Sequence, residues 1–174
     1  MKDLVRLRTS LKEEIETALN AQIKMEAEAS AKYLSMGSWC ERNGYIKSAE
    51  YLYRQSNEER EHMLKIFHYV ASVGGTAISP EVATPQLEWG TFQSVFETAL
   101  QSEIGVTHAI NKLITKCRNA EDYATENFLQ WFVKEQVEEE ANARRALELF
   151  DVIGTDGTGL FVVDKEIGKI GSEE

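Results

Sequence analysis

Glu58-Glu59-Arg60-Glu61-His62 decides how this chain folds. Glu59 and His62 stand at i and i+3, so on a helix they point the same way, and a carboxylate and an imidazole so placed can share one metal ion. The stretch around them is amphipathic: from about Tyr45, a stripe of Leu52, Gln55, Glu59, His62, Ile66, Tyr69 and Val73 runs to Gly74-Gly75, a strong helix stop. Three other long amphipathic stretches each carry an acid at an inward position. That is the layout of a two-metal carboxylate site inside a four-helix bundle.

The first helix is expected to open at a capping box of Ser10 with Glu13, with the stripe Leu11, Ile15, Leu19, Gln22, Glu26, Ala29, Tyr33 and Met36, and to stop near Trp39-Cys40, before Asn43-Gly44. Thr91 can cap a third helix whose stripe is Phe92, Phe96, Ala99, Glu103, Val106, Ile110, Leu113 and Cys117. After a turn at Asn119 to Asp122, a fourth shows Thr125, Phe128, Phe132, Gln136, Glu139, Ala143, Ala146 and Phe150 and ends before Gly154. Leu160 to Ile170 suits a short fifth helix. No strand-like alternation, short-period repeat or low-complexity tract interrupts this pattern. The expected fold is all-α, one domain over 1–174, with the bundle at about 10–153.

Glu26, Glu59, Glu103 and Glu139 each interrupt an apolar stripe, one per helix. Glu26 lies roughly 13 residues before the first turn and Glu59 roughly 15 after it, so both sit about 20 Å from that turn at 1.5 Å per residue. Around the second turn, Glu103 lies about 15 residues before, and Gln136 and Glu139 about 14 and 17 after. Residues 74 to 90 hold both prolines, Pro80 and Pro85, and are too long for a tight turn. About 13 extended residues would span a 40 Å helix, so this segment reads as a crossover that sets helices two and three parallel. All four acids then meet near mid-bundle.

At 174 residues the chain can bury a core without metal or disulfide staples, so a metal here would be functional. Its two cysteines, Cys40 and Cys117, lack Cys-x-x-Cys spacing, which argues against a thiolate metal site and fits a reducing compartment. Met1 to Arg8 has no sustained apolar run, and no stretch approaches membrane-spanning length. The expected protein is soluble and cytoplasmic. A formal net charge of -10 opposes nonspecific contact with nucleic acid or an anionic membrane and favours cations as partners.

Most helical glutamates simply face water. Four inward ones at matching depth differ, because burying several carboxylates without partners costs several kcal/mol each, and a divalent metal pair removes that cost. Mixed carboxylate and imidazole donors suit iron or manganese. His68 is out of phase with His62 and reads as a surface residue, and His108 is no more convincing as a ligand.

The strings Leu19-Asn20-Ala21-Gln22, Glu58-Glu59-Arg60-Glu61-His62-Met63, Phe128-Leu129-Gln130-Trp131-Phe132-Val133-Lys134-Glu135-Gln136 and Gly159-Leu160-Phe161-Val162-Val163-Asp164-Lys165-Glu166 resemble prokaryotic non-haem ferritins, from about residue 17 onward. The resemblance implies a ferritin-like bundle with one long crossover and a C-terminal fifth helix. It implies Glu26, Glu59 and His62 around a first iron, Glu59 as bridge, Glu103 and Glu139 around a second, and Gln136 beside the second iron and the oxygen site. It also implies a third, exchangeable iron near Glu58, Glu135 and Glu138, with Glu139 shared; Glu140 reads as a solvated helix face. Tyr33 stays open between an electron donor and a core tyrosine bonded to a carboxylate, and Trp131 reads as packing.

Two departures locate the chain within the superfamily. Where bacterioferritins and rubrerythrins carry a second Glu-x-x-His, this chain has Gln136-Val137-Glu138-Glu139; where the bacterioferritin haem methionine would follow Glu59, it has Arg60, so no haem is expected. The tail that resembles a fifth helix sets it apart from DNA-protecting mini-ferritins, and its N-terminus is longer than the family's by roughly nine residues. The expected activity is that of a ferroxidase: Fe(II) oxidised by O2 or H2O2, with Fe(III) stored as mineral in a closed 24-subunit homo-oligomer of octahedral symmetry. The alternatives are another di-iron enzyme, such as a peroxidase or small oxygenase, and a noncatalytic helical assembly protein.

Overall fold

In a computed structural model that describes residues 9–171, five helices follow in order: α1 Glu13–Arg42, α2 Ile46–Ser72, α3 Phe92–Asn119, α4 Tyr123–Ile153 and α5 Gly159–Ile167. The N-terminal extension and the stretch Met1 to Arg8 read above for a leader lie outside the described residues. Among the described residues there is no strand, and no helix is long and apolar enough to cross a membrane.

Short turns close two antiparallel hairpins. Gly44 takes φ 87° between α1 and α2, a conformation glycine adopts at little cost, and Glu121 takes φ 59° between α3 and α4. Side-chain caps fix the second hairpin: Thr91 and Ser94 form a capping box on α3, and Asp122 accepts from Thr125 N on α4. The expected Ser10–Glu13 box does not form. Helix α1 starts at Glu13 behind Lys12, with no side-chain cap, because Thr9 instead accepts from Leu11 N and donates to Val73 O, tying the entering chain to the end of α2.

The crossover runs along α1. Asn20 and Glu16 hold Thr76 and Ile78 at one end, Ser35 donates to Gln86 O in the middle, and Arg42 reaches Leu87 O and Glu88 at the other. From Glu16 to Arg42 is about 39 Å at 1.5 Å per residue, the span the sequence requires. α3 then packs antiparallel on α1, since Lys12 donates to Ala120 O while Tyr33 donates to Glu103. α2 and α4 stand further apart, and rings fill that seam: Tyr69 stacks on Phe128 at 3.8 Å between centroids, and Trp131 meets His62 edge-on at 5.4 Å.

Two apolar clusters fill the ends of the bundle. One gathers Met36, Leu52, Phe92, Phe96 and Phe150 with Val163 and Ile167 of α5; the other gathers Ile15, Leu19, Ile66, Val70, Ile110, Leu129 and Phe132. Both cysteines are free and buried. At the end of α2 the inward residue is Val70, with Tyr69 and Val73 only half-buried, because 3.6 residues per turn carries the stripe off a strict three-four step over about six turns. Helix α5 stops three residues short of the expected Ile170. Its Asp164 is buried and accepts from the Lys47 and Ser48 amides at the start of α2, while Arg54 donates to the Gly168 and Ile170 carbonyls.

Candidate metal centre

Between the two apolar clusters lies a polar band: Gln22, Glu26, Gln55, Glu59, His62, Glu103, Gln136 and Glu139 are all buried. Helical phase explains how one chain assembles it. On α1, Gln22 donates to Glu26 Oε1 at 2.8 Å, one turn apart. On α2, His62 Nδ1 lies 3.4 Å from Glu59 Oε2, the i, i+3 geometry of the opening motif. Donor atoms of Glu26, Glu59 and His62 all lie within 4.8 Å of one another. His62 is wedged by ring edges, Trp131 at 5.4 Å and Phe132 at 6.0 Å, which fix its plane.

Opposite them, Glu103 of α3 accepts from the Tyr33 hydroxyl at 2.5 Å and from Gln136 Nε2 at 3.2 Å. Glu139 of α4 completes the set of four acids, one from each bundle helix. His62 Nε2 turns toward α4, 3.7 Å from Glu135 Oε1, and a second group of donor atoms within 4.8 Å comprises His62, Glu135 and Glu139.

Burial is the main force on these groups. It raises the carboxyls of Glu26 and Glu59 well above the usual range, with the charge of Glu59 adding to the first and that of Glu103 to the second. It also raises Glu103, and it pushes Glu139 up to about 9 with help from Glu103 and Glu59. Like charges this close cannot all ionise in an apolar interior. Glu26 Oε2 and Glu139 Oε2 are buried without any hydrogen-bond partner. A buried carboxylate oxygen left bare costs free energy, and here two such atoms stand on opposite hairpins, in a cluster of hard oxygens and one imidazole nitrogen. That donor set fits divalent iron or manganese.

The structure thus brings together Glu26, Glu59, His62, Glu103, Gln136, Glu139 and Tyr33, with Glu135 at their edge. Glu58 is exposed, takes a short hydrogen bond from Gln55, and shares the cavity at the α2–α4 seam with His62 and Glu135. Glu138 faces solvent and joins neither donor group. His68 is exposed, as expected, and so is His108. Glu140 departs from a plain solvated face, since it accepts from the Thr107 hydroxyl at 2.7 Å.

Two polar residues beside the site carry roles that the stripes alone do not show. Tyr51 is buried, its hydroxyl 3.5 Å from Gln55 Oε1, and the nearby charges of Glu139 and Glu103 add to burial in raising it. Gln22 lies on the α1 stripe, and its i, i+4 spacing to Glu26 is the signal for the hydrogen bond the two form. Trp131 packs as expected, against His62 and with Lys65 3.9 Å from its ring centroid.

The pattern of the ferritin-like domain family matches residues 16–153. A probable bacterial non-heme ferritin-like protein of Haemophilus influenzae is 36% identical over 94% of this chain and 99% of its own length. A bacterial non-heme ferritin of Campylobacter jejuni is 36% identical over 92% of this chain and 96% of its own. Among solved structures, an open pore ferritin from the hyperthermophilic archaeon Archaeoglobus fulgidus superposes with a TM-score of 0.89 at 37% identity, covering 91% of this chain and 98% of that one.

Proposed function

We propose, for a chain that belongs to the ferritin family and is an iron-storage ferritin, that it loads its iron by oxidising Fe(II) in pairs at the buried four-acid cluster, with O2 or H2O2 as oxidant. The observation that carries the reading is the pair of unpartnered carboxylate oxygens, Glu26 Oε2 and Glu139 Oε2, one on each hairpin within a single polar band. In this reading Glu26 and His62 hold one ion, Glu103 and Glu139 the other, and Glu59 lies between them.

Fe(II) arrives as substrate, and two ions held side by side each give one electron to the same oxidant, so no one-electron radical need escape. Because burial raises all four carboxyls and pushes Glu139 up to about 9, binding the two cations releases protons and trades the desolvation cost of the acids for metal-oxygen contacts. Gln136 holds Glu103 through its amide, and Tyr33 holds the other oxygen through its hydroxyl, so Glu103 stays aimed into the cluster. Hard carboxylate oxygens favour the more charged Fe(III). With one nitrogen donor only, the ferric product is free to leave. In this reading Glu58 and Glu135, with Glu139 shared, form a weaker third site to which solvent-facing Glu138 contributes least, and a homo-oligomeric shell of 24 chains, closed by α5, encloses the mineral.

Anaerobic Fe(II) titration followed by air tests the reading, with native mass spectrometry of the loaded protein. The expected result is fast oxidation and then a soluble iron load far above three ions per chain on a large closed assembly. Substrate turnover without iron accumulation would favour another di-iron enzyme, and a bundle that neither binds nor oxidises iron would favour a noncatalytic assembly protein. Truncation after Gly157 removes α5 and should weaken the assembly without abolishing the buried cluster.

A further inference from the structure

Gln136 faces two ways. Its amide touches Glu103, and its side chain also lines a groove of about 340 Å³ between α3 and α4. Val133 and Val137 give the groove apolar walls, while its polar residues form a continuous string. Gln136 Nε2 lies 3.2 Å from Glu103 Oε2 and 3.4 Å from Thr107 Oγ1; Thr107 donates to Glu140 Oε1 at 2.7 Å, and Arg144 donates to Glu140 Oε2 at 3.1 Å. The cavity at the α2–α4 seam is a separate opening, and it meets His62 and Glu135 instead. The buried acids are therefore approached from two faces, one beside each half of the cluster.

We propose that the α3–α4 groove admits divalent cations to the Glu103 side of the cluster, with Glu140 as the carboxylate they meet first. This rests on the two-metal reading above. A single carboxylate set between low-dielectric walls focuses its field along the passage and raises the local concentration of cations. Thr107 fixes one oxygen of Glu140 beside Gln136, so only the Gln136 amide, which donates through Nε2, stands between a cation on Glu140 and Glu103, and that side chain must swing aside for the cation to pass. Arg144 occupies the other oxygen from a half-exposed position. Because Arg144 is half-exposed and carries a single charge, an arriving divalent ion displaces the guanidinium into water, and Arg144 acts as a competitor at the mouth.

The competition gives the proposal opposite-signed tests. Full-length, metal-stripped protein is mixed with Co(II) in a stopped-flow instrument, and the visible absorbance of the bound ion is followed to its plateau. Glu140→Gln should slow uptake about ten-fold, Thr107→Val should slow it in the same direction, and Arg144→Gln should speed it. All three should reach the wild-type number of Co(II) ions per chain. Equal rates in wild type and Glu140→Gln, or slowing in Arg144→Gln along with the others, overturns the groove as the route. Wild-type protein that takes up no Co(II) overturns the two-metal reading, and the route with it, so the two failures are distinct.

Discussion

The α1–α2 hairpin and the α3–α4 hairpin bring polar residues to the same depth of the bundle but fill those positions differently. The first supplies Glu26, Glu59 and His62, converging within 4.8 Å, with the imidazole clamped between aromatic edges. The second supplies Glu103, Gln136 and Glu139: no imidazole, one acid held at both oxygens, and one with a bare oxygen. A half with a nitrogen donor and a fixed ring holds a divalent ion firmly. An all-oxygen half with a neutral amide beside it holds and releases. In the proposed ferroxidase reading, the unequal halves suit a site that must let its product go.

Removing the firm half should have the largest effect. Glu59→Ala deletes the acid between the two ions and His62→Ala deletes the imidazole, so fast oxidation in a stopped-flow assay should fall on the order of 100-fold for each. Circular dichroism should show the bundle intact, because alanine is a better helix former and loss of a buried carboxylate also removes its desolvation cost. Parental rates in either variant would refute the assignment.

Making the halves alike should come next. The double change Gln136→Glu with Glu139→His writes a second Glu-x-x-His onto α4, facing the first. The pair should then retain its iron: the first round of oxidation should proceed, while later rounds slow about ten-fold and iron stays with the protein after desalting. Repeated rounds at the wild-type rate would show that the asymmetry has no part in release.

The acids also make a pH prediction. Burial pushes Glu139 up to about 9 from an ordinary value of 4.5, and it raises Glu26, Glu59 and Glu103 in the same direction. Between those values the folded chain binds more protons than the unfolded one, so stability falls as pH rises. Metal-stripped protein should lose roughly 5 °C in melting temperature between pH 5 and pH 9. Added Zn(II) should reverse the slope, because metal needs the ionised acids. A flat or rising profile without metal would mean that the acids are solvated.

How legible all this was in the sequence follows from where periodicity holds. The stripes of α1 and α3 could be read residue by residue, since every inward position from Ile15 to Met36 and from Phe92 to Cys117 is buried. Depth counting from the two turns placed four acids in one band because helical rise is fixed. What escaped depends on partners from other helices. Thr9 tying itself to Val73, Asp164 reaching the start of α2 and Thr107 reaching Glu140 are contacts between residues at least 33 positions apart, invisible to any local pattern. Val70 in place of Val73 shows the other failure, phase drift over a long helix.

The smallest effects should come from the rim, where the two hairpins meet across the α2–α4 seam. The resemblance groups Glu58 and Glu138 in one third site, but their surroundings differ. Glu58 is braced by Gln55 and shares a cavity with His62 and Glu135, whereas Glu138 points to water and joins neither donor group. A cation held between the hairpins there would draw on Glu135, Glu139 and Glu58, all within or beside the seam. Glu58→Ala should therefore keep two-iron oxidation while lowering the number of ions oxidised per chain in the first burst, and Glu138→Ala should change that number less. Crystals soaked anaerobically in Fe(II) check the ranking by anomalous density. Density beside Glu135 that survives Glu138→Ala and weakens in Glu58→Ala supports a seam-held ion, whereas no density outside the four-acid cluster would remove the third ion from this account.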